Sequence, residues 1–139
     1  MANDEELTRY MYQIEQYKEQ LNQLDMQSQY LQAALMDYNK AKLTLEQLKK
    51  TDKDVEMLMP IGGGAFIDAS AKKTSKVLVD IGSGLVAEKT YDDAIKKIEQ
   101  RIKNLEKTQE RLAQMIEQYQ AEATELSQKA QSMIGKQNK

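Results

Sequence analysis

The glycine-rich stretch PIGGGAFI, residues 60–67, and the related stretch IGSGLV, residues 81–86, decide the fold. Five of the six glycines and the only proline lie between Pro60 and Gly84. Glycine readily adopts the positive φ angles of tight turns, and each glycine cluster is flanked by short apolar runs. The sequence therefore predicts two consecutive β-hairpins, with chain reversals at GGG and GSG.

Four short runs supply the strands of these hairpins. In the third run, Val77, Val79 and Ile81 fall on alternate positions, which is the periodicity of a β-strand. Pro60 has no amide hydrogen to donate, so we expect it to end the first strand or to lie on an edge strand. The predicted strands are VEMLM (55–59), AFIDASA (65–71), SKVLVDI (75–81) and LVAEK (85–89).

The glycine run is also compatible with a phosphate-binding loop. Such a loop needs a helix N-terminus directly after it, and usually a lysine and a serine or threonine at fixed positions. Here the residues that follow Gly64 have strand character, so the sequence favours the hairpin over a nucleotide site.

Long polar segments with a seven-residue repeat lie on both sides of the glycine-rich window. Apolar residues recur at the first and fourth positions of the repeat, the pattern of a coiled-coil seam, over residues 4–52 and again over 91–134. Thr90 and Asp93 have the spacing of a capping box, and Gly135 is expected to end the second helix. The seam of the first segment comprises Leu7, Tyr10, Ile14, Tyr17, Leu21, Leu24, Ser28, Leu31, Leu35, Tyr38, Lys42, Leu45 and Lys49. The seam of the second comprises Ile95, Ile98, Ile102, Leu105, Gln109, Leu112, Ile116, Tyr119, Ala123, Leu126, Ala130 and Met133.

The two seams are predicted to pair antiparallel, because the chain runs out and returns. In the register that sets Leu24 against Ile116, each first position of one helix meets a fourth position of the other. The same register sets Tyr17 against Ala123, a large side chain against a small one, as close packing requires. We therefore predict a coiled coil in this register.

The composition argues against several classes of function. The chain has no cysteine and no histidine, so thiol nucleophiles, disulfides, thiolate metal sites and the commonest general base are absent. The net charge of −2 argues against nucleic-acid binding, and no apolar run approaches the roughly 20 residues of a membrane span. We expect a soluble cytoplasmic protein that is not an enzyme and uses no cofactor or metal ion.

The two hairpins are too small to bury their own apolar side chains. The helices are expected to pack on each other, so neighbouring subunits are the expected cover, through edge pairing or closure of a β-barrel. The predicted fold is α+β and mostly α: a long antiparallel coiled-coil hairpin with two central β-hairpins, residues 54–90, that join an intersubunit β-barrel platform. The side chains expected at the subunit interface are Leu58, Pro60, Phe66, Ile67, Val77, Val79, Ile81, Leu85 and Val86.

The stretch MLMPIGGGAFIDASAKKTSKVLVDIGSGLVAEKTYDDA, residues 57–94, resembles the prefoldin alpha subunits of archaea. The specific part of the resemblance is PIGGGAFI, followed by KVLVDIGSGLVAEK and by Ala94 near the start of the second helix. The sequence departs from that family at Ala65, where serine is common, and at Lys73, where an acidic residue is common.

The resemblance implies an ATP-independent chaperone subunit, one of two alpha subunits in a hexamer with four prefoldin beta subunits. The coiled-coil arms would hold non-native polypeptides at their far ends and transfer them to a group II chaperonin. The far ends correspond to residues 1–14 and 126–139 of this chain. The candidate polypeptide-binding side chains there are Met1, Leu7, Tyr10, Met11, Leu126, Met133 and Ile134.

Two other interpretations stay open at this point. The apolar residues of the arm ends could simply close the last layers of the seam, since such residues can do both. The chain could also be a structural protein whose hairpins pair edge to edge into filaments, which electron microscopy of the pure subunit would distinguish from closed particles with arms. An enzyme has the least support, because the sequence offers neither histidine nor cysteine.

Overall fold

Along the chain, four strands lie between two long helices. The structure is a computed structural model that describes residues 2–137, with side chains described for residues 4–135. The mostly helical α+β class with two central hairpins is confirmed. The elements are α1 (Ala2–Lys50), β1 (Val55–Gly62), β2 (Ala65–Ala71), β3 (Lys76–Gly82), β4 (Leu85–Thr90) and α2 (Tyr91–Gln137).

The chain divides into two compact units. The first combines α1 up to Ala34 with α2 from Leu105 onward. The second spans Leu35–Asn104 and therefore contains the end of α1, both hairpins and the start of α2. Each unit thus contains one segment from each helix.

The predicted seam is the least exposed stripe of both helices. Leu24 and Leu112 are buried in the first unit, as Ile102 is in the second, and every other seam position except Lys49 is buried or half-buried. The side chain of Lys49 is half exposed and makes an ion pair with Asp92. The inclusion of Lys49 in the seam was therefore wrong, because a lysine near the helix end keeps its charge in water and beside a carboxylate.

Contacts between the two helices confirm the predicted register. In the first unit, the hydroxyl of Tyr17 donates a hydrogen bond of 2.5 Å to Oε2 of Glu122, the neighbour of the predicted partner Ala123. In the second unit, Lys42 and Glu99 form an ion pair at 3.4 Å. A slip by one seven-residue repeat would move each partner two helical turns away and would break both contacts.

The reversals of the two hairpins lie at the predicted glycines. Gly62, Gly63 and Gly64 all have positive φ angles, between 59° and 104°. In the second turn Ser83 has a φ of 55° between two positive-φ glycines. Since left-handed backbone is costly for other residues, these positions explain why the chain concentrates its glycine here.

The first strand continues past Pro60, which therefore does not end it. Pro60 lies opposite Phe66, and the register shifts between Pro60 and Gly62. The missing amide hydrogen is tolerated because β1 and β2 form a two-stranded antiparallel sheet, in which each strand has a free edge within the described residues. The prediction of an edge position is confirmed.

The start of α2 follows the sequence prediction and its end does not. The backbone N–H of Asp93 donates to Oγ1 of Thr90 at 3.2 Å, which confirms the cap. The prediction that Gly135 ends the helix is wrong, because α2 continues to Gln137. Gly135 does not have the positive φ that a glycine stop requires.

Candidate functional site

The ends of the helices farthest from the hairpins in sequence hold the predicted polypeptide-binding residues. Met11 is 56 % exposed and Ile134 is 45 % exposed, because neither occupies a seam position. The other described candidates, Leu7, Tyr10, Leu126 and Met133, are half-buried in the seam of the first unit. Met1 lies outside the described residues. The candidate set therefore contains seam-closing residues as well as residues that are open to a ligand.

Tyr12 is an exposed apolar side chain that the sequence analysis missed. It is 64 % exposed and directly follows Met11. Its position in the seven-residue repeat is off the seam, where an aromatic residue has no packing role in a two-helix pair. That mismatch between residue type and repeat position was the signal in the sequence.

Farther along the first unit, the surface between the helices is polar. A cleft of about 380 Å³ is lined by glutamine and charged side chains next to Tyr17. The hydrogen bond from Tyr17 holds the pKa of Glu122 below its ordinary value, with a second contribution from Gln118. The same bond raises the pKa of Tyr17. The exposed side chains of Met11 and Tyr12 are therefore followed, within about two helical turns, by a polar region with hydrogen bonds between the helices.

The second hairpin has one face that is half-covered and one that is open. In the second hairpin, β3 and β4, the side chains of Val77 and Val79 are half-buried. They line a groove of about 520 Å³ together with Tyr38 and Leu45 of α1 and with Ile98 of α2. Val77 and Val79 thus already have part of their cover within this chain.

The open face of the second hairpin contains an apolar residue that the predicted interface omits. Leu78 is 70 % exposed and Val86 is 60 % exposed. Strand alternation had indicated that Val77 and Leu78 lie on opposite faces, and it could not tell which face meets the helices. The predicted residues nearest the turn, Ile81 and Leu85, are also exposed.

The first hairpin, β1 and β2, has an outward face formed by two strands in antiparallel register. The cross-strand pairs are Glu56 with Ser70, Leu58 with Asp68, and Pro60 with Phe66. All six side chains are exposed, including Leu58 at 64 % and Phe66 at 58 %. Ile67, on the opposite face, is 47 % exposed. We call the set Glu56, Leu58, Pro60, Phe66, Asp68 and Ser70 the outward face of the first hairpin.

Two cationic side chains attach the hairpins to the helices within the second unit. Arg101 of α2 donates to the carbonyl oxygen of Asp80 at 3.1 Å and lies 5.8 Å from the ring centre of Tyr38. Lys73 lies 3.4 Å from the carbonyl oxygens of Leu48 and Lys49, at the end of α1. A cation is favourable there, because the last carbonyl groups of a helix carry partial negative charge. Lys73 therefore helps to hold the connection between the hairpins against the end of α1.

The described residues contain neither a metal-binding cluster nor a helix suited to span a membrane. Within residues 2–137, no group of three or more acidic side chains is arranged to hold a metal ion. No described helix is long and apolar enough to cross a membrane.

Comparison with known proteins gives one consistent result. The sequence profile of the family described as "Prefoldin subunit" matches residues 17–136. The chain belongs to the prefoldin family. It is 33 % identical over 128 residues to prefoldin subunit alpha of Archaeoglobus fulgidus, covering 92 % of this chain and 93 % of that protein. It is 32 % identical to prefoldin subunit alpha of Methanococcus aeolicus, covering 95 % of this chain and 92 % of that one.

Solved structures of prefoldin proteins have the same fold. The filamentous PFD from Methanocaldococcus jannaschii is 28 % identical, with a TM-score of 0.57, and the match covers 91 % of this chain and 98 % of that one. The prefoldin beta subunit from Thermococcus strain KS-1 is 21 % identical, with a TM-score of 0.60 over 91 % of this chain and 90 % of that one. The chain is thus a prefoldin chaperone subunit, and its similarity to curated alpha subunits agrees with the resemblance identified from the glycine-rich window.

Proposed function

We propose that this prefoldin-family chain is an ATP-independent holdase subunit that works in the cytoplasm, binds non-native polypeptides at the ends of its helices and passes them to a group II chaperonin. The observation that supports this best is the exposure of Met11, Tyr12 and Ile134 in the first unit. Methionine is flexible and polarisable, and an exposed aromatic ring offers a large contact area, so these side chains suit ligands of varied sequence.

ATP independence is supported by the structure around the glycine run. Gly62–Gly64 connect β1 to β2, so the run leads into a strand and not into a helix N-terminus. A phosphate loop derives its affinity from the amide groups at a helix N-terminus, and this arrangement has none beside the glycines.

The proposed assembly is a hexamer of two alpha and four beta subunits joined through the hairpins. Its support is the exposure of Leu58, Phe66, Leu78 and Val86 on the open faces. Within the described residues, every strand also has one edge without a partner strand. Exposed apolar faces and open edges together favour burial against other chains.

Deletion tests the proposed binding site. A variant that lacks residues 1–12 and 127–139, assembled with a beta-type partner, should keep the mass of the complex and lose the suppression of aggregation of unfolded lysozyme, measured by light scattering. Full suppression by this variant would exclude binding at the helix ends.

Substitution separates the helix end from the rest of α1. Met11→Gln with Tyr12→Gln should weaken suppression of aggregation. The matched control is Met26→Gln with Tyr30→Gln, because these side chains are 59 % and 76 % exposed on the same helix. Suppression that is lost in the control and kept in the first variant would place binding along the helix and would contradict the proposal.

A second candidate function is a self-assembling structural subunit. The PFD from Methanocaldococcus jannaschii is filamentous, and its match covers 91 % of this chain. Electron microscopy of the pure chain tests this candidate: open filaments would favour it, and closed particles that form only with a beta-type partner would favour the chaperone.

A further inference from the structure

The outward face of the first hairpin combines exposed apolar side chains with uncompensated negative charge. Leu58 and Phe66 lie exposed in its middle. Glu56 and Asp68 flank them on diagonal positions of the two strands, where side chains are about 7–8 Å apart. Within residues 4–135, neither carboxylate makes an ion pair or a side-chain hydrogen bond. Both carboxylates are exposed to water in the free chain. A partner that covers this face would take them out of water, so a partner that supplies the opposite charge would be favoured.

The second hairpin differs, because its open face has a cation of its own. Lys76 and Glu88 lie on diagonal positions of β3 and β4 there, and their charged atoms are 3.9 Å apart. Asp80, on the same face, accepts a hydrogen bond from the backbone N–H of Gly82 at 2.8 Å. The open face of the second hairpin therefore has one cation against two carboxylates, whereas the outward face of the first hairpin has two carboxylates and no cation.

The lysines of the hairpin region do not supply the positive charge that the outward face of the first hairpin lacks. Lys73 is directed to the carbonyl end of α1, and Lys76 is paired with Glu88. Lys89 is half-buried on the inner side of the second hairpin, and Lys72 belongs to the connection between the hairpins. A second copy of this chain, placed on the outward face through its own first hairpin, would add the same two carboxylates to those already present.

We propose that the outward face of the first hairpin is a docking surface for a different chain, whose hairpin presents lysine or arginine at the strand positions opposite Glu56 and Asp68. The apolar centre formed by Leu58, Pro60 and Phe66 provides the buried contact area. The carboxylates select the partner, because a second copy brings like charges and a basic hairpin brings opposite ones. The inference rests on the proposed assembly through the hairpins and adds the chemistry by which one partner is preferred over another.

The experiment uses a charge-reversed copy of this chain as the basic partner. Full-length Glu56→Lys, Asp68→Lys protein is mixed with the wild-type chain, and association is followed by analytical ultracentrifugation at low and at high salt. At low salt the mixture should associate about tenfold more tightly than the wild type alone, and the gain should shrink at high salt through screening. The matched control is Glu106→Lys, Glu110→Lys, which reverses two exposed carboxylates one turn apart on α2.

Three results would overturn the proposal: association in the mixture no tighter than in the wild type alone, an equal gain with the control copy, or a gain that salt leaves unchanged. The milder variant Glu56→Gln, Asp68→Asn covers the case in which reversal disturbs the hairpin. This variant removes the repulsion between the carboxylates of two copies, so its self-association at low salt should be several-fold tighter than that of the wild type. Self-association no tighter than that of the wild type would also refute the proposal. A complex that fails to suppress aggregation but still shows the charge preference would contradict the proposed function and leave this inference intact.

Discussion

Leu24 provides the sharpest test of the helix pairing, because it is only 8 % exposed and lies in the middle of the seam of the first unit. Leu24→Ala removes three carbon groups, and about 0.8 kcal/mol for each gives a transfer loss of about 2.4 kcal/mol. Measured losses for buried Leu→Ala changes run from about 2 to 5 kcal/mol, depending on how far the cavity collapses. A two-helix seam can close partly around a small gap, so we expect a loss of about 2.5 kcal/mol.

The assay is urea unfolding followed by circular dichroism at fixed protein concentration, with Leu43→Ala as the control. Leu43 is 56 % exposed on the same helix, so its truncation removes little buried surface, and alanine has the higher helix propensity. We expect the control to change the free energy of unfolding by less than about 0.5 kcal/mol. Equal losses in the two variants, or a larger loss for Leu43→Ala, would show that α1 does not pack through the face predicted here.

Three further changes probe other features of the fold. Tyr17→Phe should lower stability near neutral pH. The difference between the two proteins should fade below pH 4.5, because Glu122, whose pKa is lowered in the folded state, becomes protonated there. Urea unfolding of both proteins near neutral pH and below pH 4.5 checks this. A difference in stability that does not change with pH would contradict it. Gly64→Ala, at a φ of 76°, should destabilise by about 1 kcal/mol, whereas Gly135→Ala in α2 should stabilise by up to about 1 kcal/mol; thermal melts that move in the same direction would refute this contrast. Ala94→Leu should cost about 1–3 kcal/mol by overpacking, since Ala94 is 0 % exposed, and an unchanged melting temperature would show free space around it.

The features that could be predicted from sequence are those with a local or periodic cause. The hairpin turns followed from Gly62–Gly64, because a tight reversal with positive φ requires glycine whatever surrounds it. The cap followed from the spacing of Thr90 and Asp93. The register followed from matching large side chains against small ones along two repeats, and the bond between Tyr17 and Glu122 agrees with it.

The candidate functional residues could be predicted only in part. The sequence indicated the apolar ends of the helices, and the structure adds Tyr12 and shows that Leu7, Tyr10, Leu126 and Met133 are half-buried. Seam membership and exposure are separate properties at a helix end, because the last layers of a coiled coil are only partly covered. Which of these side chains bind a polypeptide stays a prediction.

What the sequence by itself determined is the order of elements, the seam and the turns, since each depends on residues that are neighbours along the chain or along one helix. Only the tertiary structure decided which face of the second hairpin meets the helices. Alternation along β3 separates Val77 from Leu78, and in the structure Val77 is half-buried while Leu78 is 70 % exposed. The contact of Lys73 with the end of α1 is likewise invisible in sequence, because it joins groups about 25 residues apart whose meeting depends on the path of the connection between the two hairpins.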